Sequence, residues 1–112
     1  MNFIVKNHTN YSIISSEVDK LNSLNAPELK EVILSLNKEN ISNLIIDLAK
    51  TTYCDSSGLS ALLSANRLCK NSNGKFILTG LQPNVKKMIE IAQLHRVLSI
   101  TETLEEAEKE IK

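Results

Sequence analysis

The chain has 112 residues, enough to bury one core without staples and too few for a second domain, so residues 1–112 read as a single domain. Thirteen basic and thirteen acidic side chains cancel to a formal charge of zero, which excludes the electrostatic footprint of a nucleic-acid or anionic-membrane binder. No apolar run approaches a signal core or a membrane span, so a cytoplasmic protein is expected, with Cys54 and Cys69 as reduced core fillers.

Phe3 to His8 and Tyr11 to Val18 are two β-prone segments meeting at Thr9-Asn10, the pattern of an opening hairpin. Asp19 to Leu24 is polar and reads as a loop. Asn25, with Glu28 three residues on, has the form of a helix N-cap and its reciprocal partner. The helix that follows places Ala26, Leu29, Val32, Ile33 and Leu36 on one face, sets Glu28, Lys30, Glu31 and Ser35 opposite, and ends near Asn37-Lys38. Leu44 to Ala49 is nearly continuous apolar sequence, as expected of a strand covered on both faces. A second helix is expected from about Ser56 to Cys69, closed by the turn Asn71-Ser72-Asn73-Gly74. Phe76 to Thr79 is another short strand. Pro83 suits a first helical turn, and Val85, Met88, Ile89 and Ala92 form the apolar stripe of a third helix. Val97 to Ile100 reads as the last strand. Thr103 with Glu106 is a capping box for a final helix striped by Leu104, Ala107 and Ile111.

The order β-β-α-β-α-β-α-β-α implies crossover connections. The predicted class is α/β, a mixed sheet with mainly parallel strands, an antiparallel N-terminal edge hairpin, and helices packed against the sheet as a single pair of layers. Functional junctions in such a fold lie beyond the carboxyl ends of the strands.

One such junction stands out, Asp55-Ser56-Ser57-Gly58-Leu59 between the buried strand and the second helix. Serines there fall at a helix N-terminus, where free N–H groups and the dipole favour an anion such as phosphate. A serine nucleophile would need a base in reach and a G-x-S-x-G elbow, whereas His8 and His95 fall in the edge hairpin and at the end of the third helix. Gly74-Lys75 precedes a strand rather than a helix, so it is a turn and not a phosphate loop. No clustering of His, Cys, Asp or Glu suggests a metal, and neither catalytic residues nor a cofactor are expected. Capping alone needs only one of Asp55, Ser56 and Ser57, and Gly58 lowers helix propensity by about 1 kcal/mol relative to alanine. With Asp55 as cap, Ser57, Ser60, Ser64 and Arg67 share one face. That stripe is either an ordinary solvated surface or, beside Gly58, a place where another protein's backbone comes close. On the second reading a side chain at Gly58 obstructs docking more than folding.

The run Ile45 to Leu63, with Asp-Ser-Ser-Gly-Leu after a buried strand, resembles the STAS domain family, in particular bacterial anti-sigma factor antagonists. Asn25-Ala26-Pro27-Glu28-Leu29 is similar to the family's first-helix start and Pro83-Asn84-Val85-Lys86-Lys87-Met88 to its third, so the likeness spans essentially the whole chain. It implies a protein that binds an anti-sigma factor doubling as a serine kinase and so releases a sigma factor. Phosphorylation of Ser57 would break that complex and a serine phosphatase would restore it. The implied partner surface comprises Asp55, Ser56, Gly58, Ser60, Ser64 and Arg67 with Asn22, Ser23 and Asn25 of the first loop. Asp19-Lys20-Leu21-Asn22 aligns with the family's Gly-Glu-Leu-Asp, so Asn22 replaces a carboxylate. A monomer with at most weak dimerisation is expected, without nucleic-acid or membrane partners. The alternatives within the family are a scaffold subunit or a ligand-binding module that does not act on a sigma factor.

Overall fold

The chain's β-branched and leucine-rich segments line up at the centre of a five-stranded sheet. The computed structural model describes residues 2–111, so Met1 and Lys112, the ends of the expected domain, lie outside the described residues. In chain order the elements are β1 (Phe3–Asn7), β2 (Ser12–Ser16), β3 (Lys20–Leu21), α1 (Ala26–Lys38), β4 (Leu44–Asp47), β5 (Tyr53–Cys54), α2 (Ser56–Asn71), β6 (Phe76–Thr79), α3 (Pro83–Ile91), β7 (Ser99–Thr101) and α4 (Leu104–Ile111). The large sheet has the order β1-β2-β4-β6-β7, antiparallel only between β1 and β2. This is the mixed α/β architecture predicted, with the hairpin at its edge. Among the described residues no helix is long and apolar enough to cross a membrane.

Strand register explains why the central strands lack alternation. Ile13, Ile45 and Ile77 are aligned across β2, β4 and β6, and so are Ile14, Ile46 and Leu78 one residue on. Successive residues of a strand face opposite ways, so the two rungs lie on opposite faces. Ile14, Ile46 and Leu78 join Leu29 and Ile33 of α1, Leu62 and Ala65 of α2, and Val85 and Ile89 of α3 in the main core. Ile13, Ile45 and Ile77 instead meet Ala107 and Ile111 of α4, together with Tyr11. Tyr11 also donates its hydroxyl proton to Glu108 Oε2 at 2.5 Å, tying α4 to the hairpin. The expected single pair of layers is therefore corrected to an unequal sandwich, three helices on one face and one on the other. Each buried Leu or Ile on either face contributes roughly 1.5–3 kcal/mol.

Local differences from the sequence reading have local causes. Asn25 occupies the N-cap position of α1 but makes no capping bond, and Glu28 accepts from Asn2 Nδ2 instead. The Asn25 side chain is committed to the preceding turn, where Oδ1 accepts the Asn22 N–H and Nδ2 donates to the Lys20 carbonyl. Of the second capping box the forward bond forms, with Thr103 Oγ1 accepting the Glu106 N–H at 3.2 Å, while the Glu106 carboxylate accepts from the Thr103 hydroxyl, also at 3.2 Å, instead of from its backbone N–H. Gln93 takes a left-handed conformation at φ 60°, so α3 stops at Ile91 and Ala92 is left exposed. A 3-10 turn at Leu94–Arg96 follows, which pushes the last strand to Ser99–Thr101.

Candidate functional site

The start of α2 is fixed by a small structure absent from the sequence reading. β3 and β5 pair in parallel, Lys20 opposite Tyr53 and Leu21 opposite Cys54, as a separate two-stranded ribbon. The chain between β4 and β5 is tied to the end of β2 by the hydroxyls of Ser16 and Thr51, 2.7 Å apart, and by Thr51 Oγ1 donating to the Val18 carbonyl. Pairing continues past the ribbon, since the Asp55 N–H donates to the Leu21 carbonyl at 3.1 Å. Asp55 is extended, and its Oδ1 accepts the Gly58 N–H at 3.0 Å, so it is the N-cap of α2 as expected.

Gly58 is buried, with its α-carbon turned towards the ribbon rather than towards solvent. A β-carbon there would lie 2.5 Å from Cys54 Sγ, 2.7 Å from the Leu21 carbonyl oxygen and 2.9 Å from Leu21 Cγ. The expectation that Gly58 admits a partner's backbone is corrected: its missing side chain lets α2 sit flush on its own β3–β5 ribbon. Beneath it, burial and then the nearby Asp55 carboxylate push the Cys54 thiol up to about 12, so this cysteine is an inert filler. Burial likewise holds the Cys69 thiol up, to about 11.

With Gly58 pointing inward, Ser56 and Ser57 are carried to the outside. Ser56 is exposed and Ser57 half-buried. Ser57, Ser56 and Ser60 form one wall of an open groove of about 300 Å³, and Ser23, Ala26, Pro27 and Lys30 form the other. The groove therefore unites Ser23, Ser56, Ser57 and Ser60 of the expected surface. Ser64 and Arg67 lie farther along α2, outside it, while Asn22 and Asn25 are occupied in holding the turn before α1. Ala26, Pro27 and Lys30 were not foreseen as part of the site. Lys30 is the only charged side chain lining the groove among the described residues. The site presents small hydroxyls, a helix N-terminus and one cation, an arrangement that accommodates an added anion. His8 stacks on Tyr11 at 4.6 Å and His95 lies in the 3-10 turn, so neither histidine lines the groove.

This ordering of elements, with an exposed Ser56 and a half-buried Ser57 opening α2 directly after β5, is that of a known family. Residues 5–107 fit the STAS domain. The chain belongs to the STAS family. Its relatives include the anti-sigma-B factor antagonist of Staphylococcus epidermidis, 22% identical over 86 residues that cover 77% of this chain and 80% of that protein. Among solved structures, an anti-sigma factor antagonist from Mycobacterium paratuberculosis superposes with a TM-score of 0.87 at 22% identity, over 97% of this STAS chain and 92% of that one. The Bacillus cell fate determinant SpoIIAA in its phosphorylated form superposes with a TM-score of 0.76 at 20% identity, over 98% and 99% of the two chains. At these identities the superpositions speak for the STAS fold alone.

Proposed function

We propose that this STAS chain is an anti-sigma factor antagonist, switched by phosphate on Ser57. It acts as a binding module rather than an enzyme, a single domain over residues 1–112, working in the cytoplasm as a monomer with at most weak dimerisation. Its unphosphorylated form binds an anti-sigma factor that is also a serine kinase and so frees a sigma factor. The kinase then phosphorylates Ser57, the complex dissociates, and a serine phosphatase restores the hydroxyl. Asp55, Ser56, Ser60, Ser64 and Arg67 with Asn22, Ser23 and Asn25 form the surrounding contact surface.

The observation that carries this reading is the position of Ser57, half-buried on the wall of an open groove at the first turn of α2, where a kinase can reach it. Phosphorylation adds about −1.5 to −2 charges there. Within the chain that charge is tolerated, because the α2 N-terminus and Lys30 both favour it. That SpoIIAA in its phosphorylated form shares the fold of this chain supports the same view. Against a docked protein the dianion must be desolvated where a hydroxyl stood, so binding falls while the fold stays. The test is a pull-down with Ser57→Ala and Ser57→Asp as baits. Ser57→Ala retains a serine kinase, Ser57→Asp does not, and both melt near the wild-type temperature. Equal retention by the two baits refutes the switch.

A further inference from the structure

Leu24 has the greatest exposure of any large apolar side chain among the described residues, at 89%. Single exposed leucines are common and need no explanation. This one is held on a fixed turn at the edge of the Ser57 groove. The Asn22 side chain accepts the Leu24 N–H at 3.0 Å, Asn25 Oδ1 accepts the Asn22 N–H at 2.9 Å, and Asn25 Nδ2 donates to the Lys20 carbonyl at 2.8 Å. The Asn22 carbonyl also accepts from the Asn25 and Ala26 N–H groups, at 3.1 and 2.8 Å. None of these bonds uses the Leu24 side chain; at Leu24 only the backbone N–H takes part. A polar residue would close the same turn, so the leucine side chain adds nothing to the fold that holds it. Ser23, its immediate neighbour, is part of the groove wall facing Ser57. Within the groove Lys30 has no carboxylate beside it in the lining, so the local charge is complementary to an acidic partner.

We infer that Leu24 is the apolar anchor of the protein that docks over Ser57, and that the partner offers an apolar socket flanked by a carboxylate that meets Lys30. The inference rests on the functional reading above and names the chemistry of its partner. A pre-formed turn places the leucine before binding, so little ordering is needed on contact. A phosphate on Ser57 enters the same groove and competes with the partner's carboxylate for Lys30.

The probe is the serine kinase recovered with the Ser57→Ala chain, purified and titrated against the full chain carrying single substitutions. Leu24→Ser is expected to weaken binding by about 10- to 100-fold, the equivalent of burying one leucine, with an unchanged melting temperature. Leu24→Met retains most of the affinity. Lys30→Gln weakens binding and flattens its dependence on salt. If Leu24→Ser binds within about twofold of its parent, the anchor is overturned while the Ser57 switch stands. If Ser57→Asp binds this kinase as tightly as Ser57→Ala, the switch falls, and a loss on Leu24→Ser still marks the surface as an interface. Recovery of no kinase overturns both.

Discussion

Replacing Gly58 by alanine sets two effects of opposite sign against each other. Helix propensity alone favours the substitution by about 1 kcal/mol. The geometry opposes it, because the new β-carbon falls 2.5 Å from Cys54 Sγ and 2.7 Å from the Leu21 carbonyl oxygen. The sulfur is fully buried, and the oxygen belongs to backbone paired both within the ribbon and to the Asp55 N–H. Relief therefore requires α2 to lift from the ribbon, which strains the cap as well as the core. Overpacking of this kind destabilises by about 1–3 kcal/mol, and loss of the Asp55–Leu21 hydrogen bond adds about 1 kcal/mol. The net prediction is a loss of roughly 1–3 kcal/mol, larger for Gly58→Val. Urea unfolding measures it directly, and each kcal/mol lowers the melting temperature of a chain this size by about 4 °C. A Gly58→Ala chain as stable as wild type, or more stable, would show that propensity governs the site and that α2 does not rest on the ribbon as described.

Two further substitutions probe the same junction and the core beneath it. Asp55→Ala removes the side chain that accepts the Gly58 N–H and should lower stability by about 1 kcal/mol, while Asp55→Asn retains most of it; urea midpoints separate the two. For the thiols, the folded state holds Cys54 and Cys69 at about 12 and about 11, above their ordinary value of 9.0. The unfolded chain thus gives up these protons first, so their contribution is intact below pH 9 and is lost as pH rises towards 11–12. The fall in stability measured between pH 8.5 and 11 should become shallower in Cys54→Ala; an unchanged slope would contradict the burial of that thiol.

Much of the fold was legible because its signals are periodic or local. Leu44 to Ala49 reads as a strand buried on both sides since the two rungs of β4 within it meet different helices, and the caps at Asp55 and Thr103 depend on contacts three residues apart. The number of layers was not legible, because a continuous apolar run shows that both faces are covered without showing which helix covers each. The β3–β5 ribbon has two residues per strand, too few for any period to register. Its absence from the sequence reading led directly to the misplacement of Gly58, whose inward direction is set by Leu21 and Cys54, residues distant in sequence or silent about orientation. Asn25 carried the right residue type for a cap, yet a competing donor three residues earlier took its oxygen. Lys30 lay on the polar face of α1, as expected, but only the approach of α2 turns that part of the face into a groove wall.

The most direct test of the central claim is the affinity of the purified kinase partner for the chain carrying phosphoserine at position 57, measured beside the unmodified chain and accompanied by thermal melts of both. The account predicts a loss of about 1,000-fold or more, equivalent to about 4 kcal/mol, with the two melting temperatures close together. Unchanged affinity would contradict it, as would a loss of affinity that only accompanies unfolding.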